Sequence, residues 1–385
     1  MNTTLQSLQD DIAAGRLRTD EMVLNMGPQH PSTHGVLRLE LVLDGEVVVK
    51  VIPHMGYLHR CFEKHAEAMT YPQVVPYTDR MDYLAAMNNN HGYVLAIERL
   101  MGIELPDRVE YIRIVMAELQ RIASHLVAIG TFGMDIGAFT PFLYCFRDRE
   151  YILDIFERTC GARLLYNYMW VGGLSHDVHP TFVEDVRDFI KRFRPTVVEV
   201  NNLLNYNKIF IERTANIGVL PADVAINYAC SGPMLRGSGV DFDLRRDDPY
   251  CIYDRFEWDV ITGKGEAGTL GDCWDRHMVR VHEMEQSCRI IEQALESFPE
   301  GDITSAIPKK IRPPKGEIYT RVENPRGELG YYVVSDGTGN PARVKARAPS
   351  FVNLAVIDDI SRGHLIADVV AILGSVDIVL GEIDR

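Results

Sequence analysis

From Tyr77 to about Asn207 apolar residues recur at spacings of three and four, in long segments near Asp79–Met101, Asp107–Phe132, Pro141–Trp170 and Pro180–Asn207, each bounded by Gly, Pro, Asp or Thr. Segments of this period bury their apolar stripes against one another, so the stretch predicts a helical bundle. In the second segment Glu118, Arg121 and His125 form a polar stripe opposite Ile114, Leu119 and Ile122. A further helix, Gly271–Phe298, places Met278, Val281, Met284, Cys288, Ile291 and Leu295 at the same spacings and belongs with the bundle.

The flanks follow a different period. Leu37, Leu39, Leu41 and Leu43 alternate through Val36–Leu43, Asp44-Gly45 supplies a two-residue turn, and Glu46–Ile52 returns as the second arm of a hairpin. Before it, Gly27-Pro28-Gln29-His30-Pro31-Ser32-Thr33-His34-Gly35 carries two prolines and two glycines, which forbid regular structure and place a loop at the tip of the sheet. Asp302–Gly316 reads as a linker. Glu317–Val322, Gly330–Ser335 and Ala342–Arg347 read as short strands around an Asp336-Gly337 turn, and Asp358–Leu380 returns to helix. The expectation is an α+β protein with an N-terminal β region over 1–75, a helical bundle over 76–300 and a C-terminal mixed region over 301–385.

At 385 residues the chain can bury a sizeable core. Its formal net charge of -14 argues against a phosphate backbone as partner, so no nucleic acid is expected. Met1–Asp20 lacks the apolar stretch of a signal peptide, and Leu365–Leu380, broken by Asp368 and Asp377, falls short of the ~20 residues of a spanning helix. Seven cysteines, at 61, 145, 160, 230, 251, 273 and 288, stand at least fifteen residues apart, which fits free thiols in a reducing compartment. No pair has the spacing that would hold zinc or an iron-sulfur cluster. The glycines of Gly263-Lys264-Gly265-Glu266-Ala267-Gly268 lack the flanking strand and helix of a nucleotide loop.

Four residues stand out as candidates for chemistry. His34, with His30 four positions earlier, lies where proline and glycine fix the direction of an imidazole; the alternative is a solvated turn residue. Tyr83 falls in the first full turn of a helix if Asp79 caps it, where a phenol can donate to a group over the helix end; otherwise it packs on the bundle surface. Asp135, in Phe132-Gly133-Met134-Asp135-Ile136-Gly137, is either a cap for the helix ahead or a buried proton carrier. Arg60 is either a functional cation or a surface charge paired with Glu63.

The loop Gly27–Gly35, with Gly56-Tyr57-Leu58-His59-Arg60, Asp79-Arg80-Met81-Asp82-Tyr83, Gly137-Ala138-Phe139-Thr140-Pro141-Phe142, Arg326-Gly327-Glu328-Leu329-Gly330-Tyr331-Tyr332 and Arg347-Ala348-Pro349-Ser350-Phe351, resembles the 49-kDa subunit of respiratory complex I. The matches run in order from about residue 20 to Arg385. That family is similar in fold to the large subunit of nickel-iron hydrogenases, whose metal is held by R-x-C-G-x-C and D-P-C-x-x-C. The two places here read Arg80-Met81-Asp82-Tyr83-Leu84-Ala85 and Asp377-Ile378-Val379-Leu380-Gly381-Glu382. All four cysteines are missing, so a nickel site of that kind cannot form.

The resemblance implies that the old metal cavity has become a quinone-reduction pocket shared with the small B-type subunit, which holds a terminal [4Fe-4S] cluster. His34 and Tyr83 would hydrogen-bond the quinone carbonyls, Asp135 would pair with His34 in the proton supply, and Arg60 would lie beside the partner's cluster. It further implies a proton-pumping NADH-quinone oxidoreductase, with NADH and FMN bound in other subunits. Contacts would be made with the C-type subunit, with the ferredoxin-like I-type subunit and with the H-type membrane subunit. The chain would be inactive alone, bind no metal or cluster itself, and sit peripherally on the cytoplasmic side of the inner membrane. Two departures from the family pattern are Cys61, where glycine is usual, and a short segment between Phe298 and Pro313. Two rivals are a hydrogenase-type subunit, disfavoured by the missing cysteines, and a pure scaffold.

Overall fold

The computed structural model describes residues 21–385, so the expectation for Met1–Asp20 lies outside the described residues. Three antiparallel strands, β1 (Glu21–Met26), β2 (Arg38–Asp44) and β3 (Val47–His54), form the first sheet in that order. Leu39, Leu41 and Leu43 of β2 are all buried, as their alternation requires. The hairpin turn is one residue later than expected: Asp44 pairs with Val47, leaving Gly45-Glu46 as the loop, with Gly45 at φ 62. A register shift between Val42 and Leu43 absorbs the offset. The strand β1, whose partner is β2, has no strict alternation and was not expected. Within the preceding loop Pro31–Thr33 closes one 3-10 turn, capped by His30, whose Nδ1 accepts from the Ser32 amide at 3.2 Å.

Helices α1 (Phe62–Ala68), α2 (Tyr71–Thr78), α3 (Ala86–Met101), α4 (Asp107–Asp135) and α5 (Phe139–Cys160) follow. The helix expected from Asp79 instead begins at Ala86. Asp79 ends α2, and Asp79–Ala85 forms a turn because its two carboxylates are taken by distant partners. Asp79 accepts from the Asn90 side chain and from the Asn167 amide, while Asp82 accepts from the Leu84 amide and from Arg326. The segment expected to stay helical to Trp170 stops at Cys160, with Gly161 in the left-handed region at φ 76. Two-residue strands β4 (Met169–Trp170) and β5 (Gly173–Leu174) follow, then α6 (Phe182–Val200), continued by a wider turn over Asn201–Asn205.

Four short helices, α7 (Lys208–Thr214), α8 (Ala222–Asn227), α9 (Pro233–Gly237) and α10 (Leu244–Asp247), lead to the long α11 (Cys273–Glu296). The second sheet is antiparallel, β6 (Gly316–Asn324), β7 (Gly327–Ser335) and β8 (Arg343–Arg347), with Pro325-Arg326 as the two-residue turn between β6 and β7. A short helix α12 (Pro349–Leu354) comes first, and the single helix expected over Asp358–Leu380 is instead α13 (Ile357–Ser361), α14 (Ile366–Val376) and the start of α15 (Leu380–Asp384), interrupted at Gly363 (φ 79) and Asp377 (φ 58). The expected α+β architecture of strands, bundle and strands is therefore present, with its helices more broken than their periodicity implied.

The centre of the bundle is α4, packed against α3, α5, α11 and α14. Its polar stripe does not face water. Glu118, Arg121 and His125 are fully buried and meet α11, where His125 bonds Glu283 at 2.9 Å and Ser287 donates to Glu118 at 2.6 Å. Arg245 and Tyr253 also reach Glu118. Burial opposes ionisation of Glu118, but Arg121 and Arg245 outweigh it and hold the carboxyl down at about 2. Among the described residues no helix is long and apolar enough to cross a membrane.

Candidate active site

The C-terminal segment from Asp377 to Arg385 organises the site. On one side a Cβ at Gly35 would touch Leu380 at 3.8 Å, which seats the His34 loop on α15. On the other, a Cβ at Gly381 would come closer than 3.0 Å to the Met81 carbonyl oxygen and stand 3.2 Å from Tyr83 Cδ1. Residue 381 therefore has room for hydrogen alone, and His34 and Tyr83 flank one turn of backbone.

His34 adopts φ 50, so the ring leaves a left-handed corner of the loop and reaches the end of α4. Its Nε2 lies 2.7 Å from Asp135 Oδ2, with both side chains almost out of water. Asp135 is the last residue of α4, so it does not cap the helix ahead. Tyr83 sits in the Asp79–Ala85 turn rather than in a first helical turn. It is half-buried, and among the described residues its hydroxyl has no hydrogen-bond partner. Burial raises the phenol above its ordinary range, with Arg326 and Arg60 pulling the other way, so it stays protonated at neutral pH.

Arg60 is exposed and does not pair with Glu63, which instead bonds Arg343 and Lys345. Its Nη2 donates to the carbonyls of Arg80 at 2.7 Å and Gly381 at 3.2 Å, clamping the Tyr83 turn to α15 from outside. The loop bearing it is tied to the same segment, since the amides of Gly56 and Leu58 donate to the Asp384 carboxylate. Cys61, next in sequence, has φ 55, which gives a backbone reason for glycine at that place. A cavity of about 360 Å³ on this exposed flank is lined by Arg60, Phe62, Pro76, Tyr77, Arg80 and Met81.

Sequence reasoning missed the interior half of the clamp. Arg326 donates to Asp82 Oδ2 at 2.8 Å, Ser124 Oγ at 3.0 Å, Asp377 Oδ1 at 3.1 Å and the Asp377 carbonyl at 2.9 Å. Burial raises Asp82, for which Arg326 is the paired cation and Asp377 a repelling neighbour. Burial acts on Asp377 too, but Arg326 and Arg280 together hold it below its ordinary value. Burial, with Asp82 nearby, pushes Glu382 up to about 8, so it is neutral at pH 7. Burial likewise raises Asp79 to about 7. Arg326 stands inside one of the motifs that carry the resemblance, but its place in the Pro325-Arg326 turn between β6 and β7 emerges only in the fold.

The four positions of the lost cysteines are Asp82, Ala85, Val379 and Glu382. Asp82 is committed to a guanidinium, Glu382 keeps its proton, and Ala85 and Val379 offer no donor, so the residues do not fit a metal. The Gly263–Gly268 loop is also accounted for. The amides of Lys264, Gly265 and Gly271 all donate to the Asp275 carboxylate, an anion supplied by the chain itself.

The chain matches the family described as respiratory-chain NADH dehydrogenase, 49 Kd subunit, over residues 135–313 and 305–385. It is 60% identical over 373 residues to the D subunit of NADH-quinone oxidoreductase from Chlorobaculum tepidum, covering 96% of this chain and 93% of that one. It is 58% identical to the D subunit from Chlorobium chlorochromatii, covering 100% and 97%, and 57% identical to that from Prosthecochloris aestuarii, covering 96% and 93%. The chain belongs to the 49-kDa subunit family of respiratory-chain NADH dehydrogenase, alongside these D subunits of NADH-quinone oxidoreductase.

Proposed function

We propose that His34, Tyr83 and Asp135 are this subunit's share of a quinone-reduction site, completed by a small subunit that holds a [4Fe-4S] cluster beside Arg60. The observation that carries the reading is the His34–Asp135 contact at 2.7 Å beside a half-buried phenol, across one turn of backbone. Reducing a quinone to a quinol takes two electrons and two protons, and the electrons come from the partner's cluster.

The chain's own residues handle position and protons. The protonated Tyr83 hydroxyl donates a hydrogen bond to one carbonyl oxygen. With the His34 ring doubly protonated, Nε2–H faces Asp135 and Nδ1–H is left for the second oxygen; giving up the Nδ1 proton leaves a neutral ring still tied to Asp135. Asp135 thus fixes both the orientation and the tautomer of the ring. Arg60, held on two carbonyls, adds a fixed positive charge that favours electron arrival at its side. The assembly is a proton-pumping enzyme in which this chain lies peripherally on the cytoplasmic side, against the B-, C-, I- and H-type subunits.

The test is NADH-driven quinone reduction in membranes carrying Tyr83→Phe, beside reduction of an artificial acceptor and a native gel. Loss of quinone reduction alone, with the complex intact, is the expected result. If both activities match the parent, the phenol has no part in quinone chemistry and a scaffold role takes its place.

A further inference from the structure

We infer that Arg326 is a positioning residue for quinone reduction, its buried guanidinium holding the Tyr83 turn against the C-terminal segment. This inference rests on the pocket reading above. Two segments meet at Gly381: the turn Asp79–Ala85 and the run Asp377–Glu382. They are the places at which R-x-C-G-x-C and D-P-C-x-x-C would stand, and a cation bound between such motifs would join them. Here the joining cation belongs to the chain, brought in by the β6–β7 turn.

The geometry is that of a fork whose three nitrogens reach three segments. Nη1 spans Asp82 of the turn and Ser124 of α4, while Nη2 and Nε take the carboxylate and the carbonyl of Asp377. The turn bearing Arg326 is itself fixed, because Asn353 of α12 donates to its carbonyl at 3.0 Å. Asp377 sits at φ 58, a left-handed conformation that a non-glycine residue holds when its surroundings impose it; two bonds to one guanidinium do so. Asp82 and Tyr83 are adjacent, so the bond that fixes the carboxylate also fixes the backbone that aims the phenol.

A lysine cannot reproduce this, since one ammonium on a flexible stem cannot reach acceptors on three segments at once. The experiment is a double-mutant cycle in the assembled complex in membranes: Arg326→Lys, Tyr83→Phe and both together, with quinone KM and kcat, artificial-acceptor rate and a native gel. Arg326→Lys is expected to assemble, keep the artificial-acceptor rate and raise quinone KM at least fivefold, with a smaller change in kcat. In the Tyr83→Phe background the same substitution is expected to add less than twofold.

An equal effect in both backgrounds, or parent kinetics in Arg326→Lys while Tyr83→Phe is impaired, overturns the bridge and leaves the pocket standing. Parent kinetics in Tyr83→Phe itself overturns the pocket. Failure of Arg326→Lys to assemble makes the residue structural; Asp82→Asn, which keeps the shape and loosens one tine, then decides. A KM rise that disappears with Tyr83→Phe upholds a positioning role for the bridge, and parent kinetics rejects it.

Discussion

Gly381→Ala is the smallest change that tests whether the Tyr83 turn and α15 must touch. The added Cβ would lie closer than 3.0 Å to the Met81 carbonyl oxygen and 3.2 Å from both the Arg80 carbonyl and Tyr83 Cδ1. An ordinary C···O approach is about 3.3 Å or more, so the turn must retreat by close to an ångström. It cannot retreat freely, because Arg60 grips it from outside and Arg326 from within. Overpacking of this kind costs about 1–3 kcal/mol, and alanine's better helix propensity in α15 returns up to about 1 kcal/mol. A net loss of about 1–2 kcal/mol is therefore expected, enough to lower the melting temperature without unfolding the chain. The larger effect is on rate: a misplacement of 1 Å can cost ~100-fold, and a shift approaching that predicts a loss of roughly 10- to 100-fold in quinone kcat/KM. The assay is NADH-driven quinone reduction against an artificial acceptor, with Gly339→Ala, which would meet nothing within 4 Å, as control. Parent quinone kinetics in Gly381→Ala would show that the contact does not set the position of Tyr83.

Three further outcomes follow from the buried charges. Glu382 holds its proton up to about 8 in the fold but loses it near 4.5 when unfolded, so it stabilises fully below about 4.5 and progressively less until the pH passes about 8. Its share of the slope is at most about 1.4 kcal/mol per pH unit; Glu382→Gln should flatten the fall of melting temperature over that window, and parallel curves for parent and variant would sink the assignment. Asp275→Ala strands the amides of Lys264, Gly265 and Gly271, a loss of about 2–3 kcal/mol that should open residues 263–271 to limited proteolysis; an unchanged cleavage pattern would refute it. Glu118→Gln leaves Arg121 and Arg245 without their shared carboxylate, so a loss of about 3–5 kcal/mol and no assembled complex on a native gel are expected, and normal assembly would contradict that.

Periodicity located the long helices because α4 and α11 meet through side chains three and four apart. It failed where a side chain has a partner far along the chain. Asp79 reads as a helix cap, yet its carboxylate is drawn to Asn90 and to the Asn167 amide, 88 residues away, and the helix starts seven residues later. Asp377 reads as an interruption in an apolar helix, and the break it causes depends on Arg326, 51 residues earlier. The candidate residues stand out by local chemistry, but their grouping was not legible locally: 101 residues separate His34 from Asp135, and only the motif resemblance put them together. Arg326 lies inside one of the family motifs, and nothing in its neighbours reveals that a hairpin turn carries it into the interior.

The interior charges supply geometry more than stability. Arg113, Arg121, Arg236, Arg245, Arg276 and Arg326 are all fully buried, and a well-packed apolar core of equal volume would be about as stable. What apolar packing does not supply is a unique distance between two segments, because Leu or Met can repack while a fork with four acceptors has one arrangement. At Gly381 that uniqueness matters, since two segments far apart in sequence must meet with room for a single hydrogen atom between them. An exposed arginine alone would hold them weakly, because water competes for its bonds to the two carbonyls. Pairing the exposed Arg60 with the buried Arg326 on the same two segments holds the turn that bears Tyr83 from both sides.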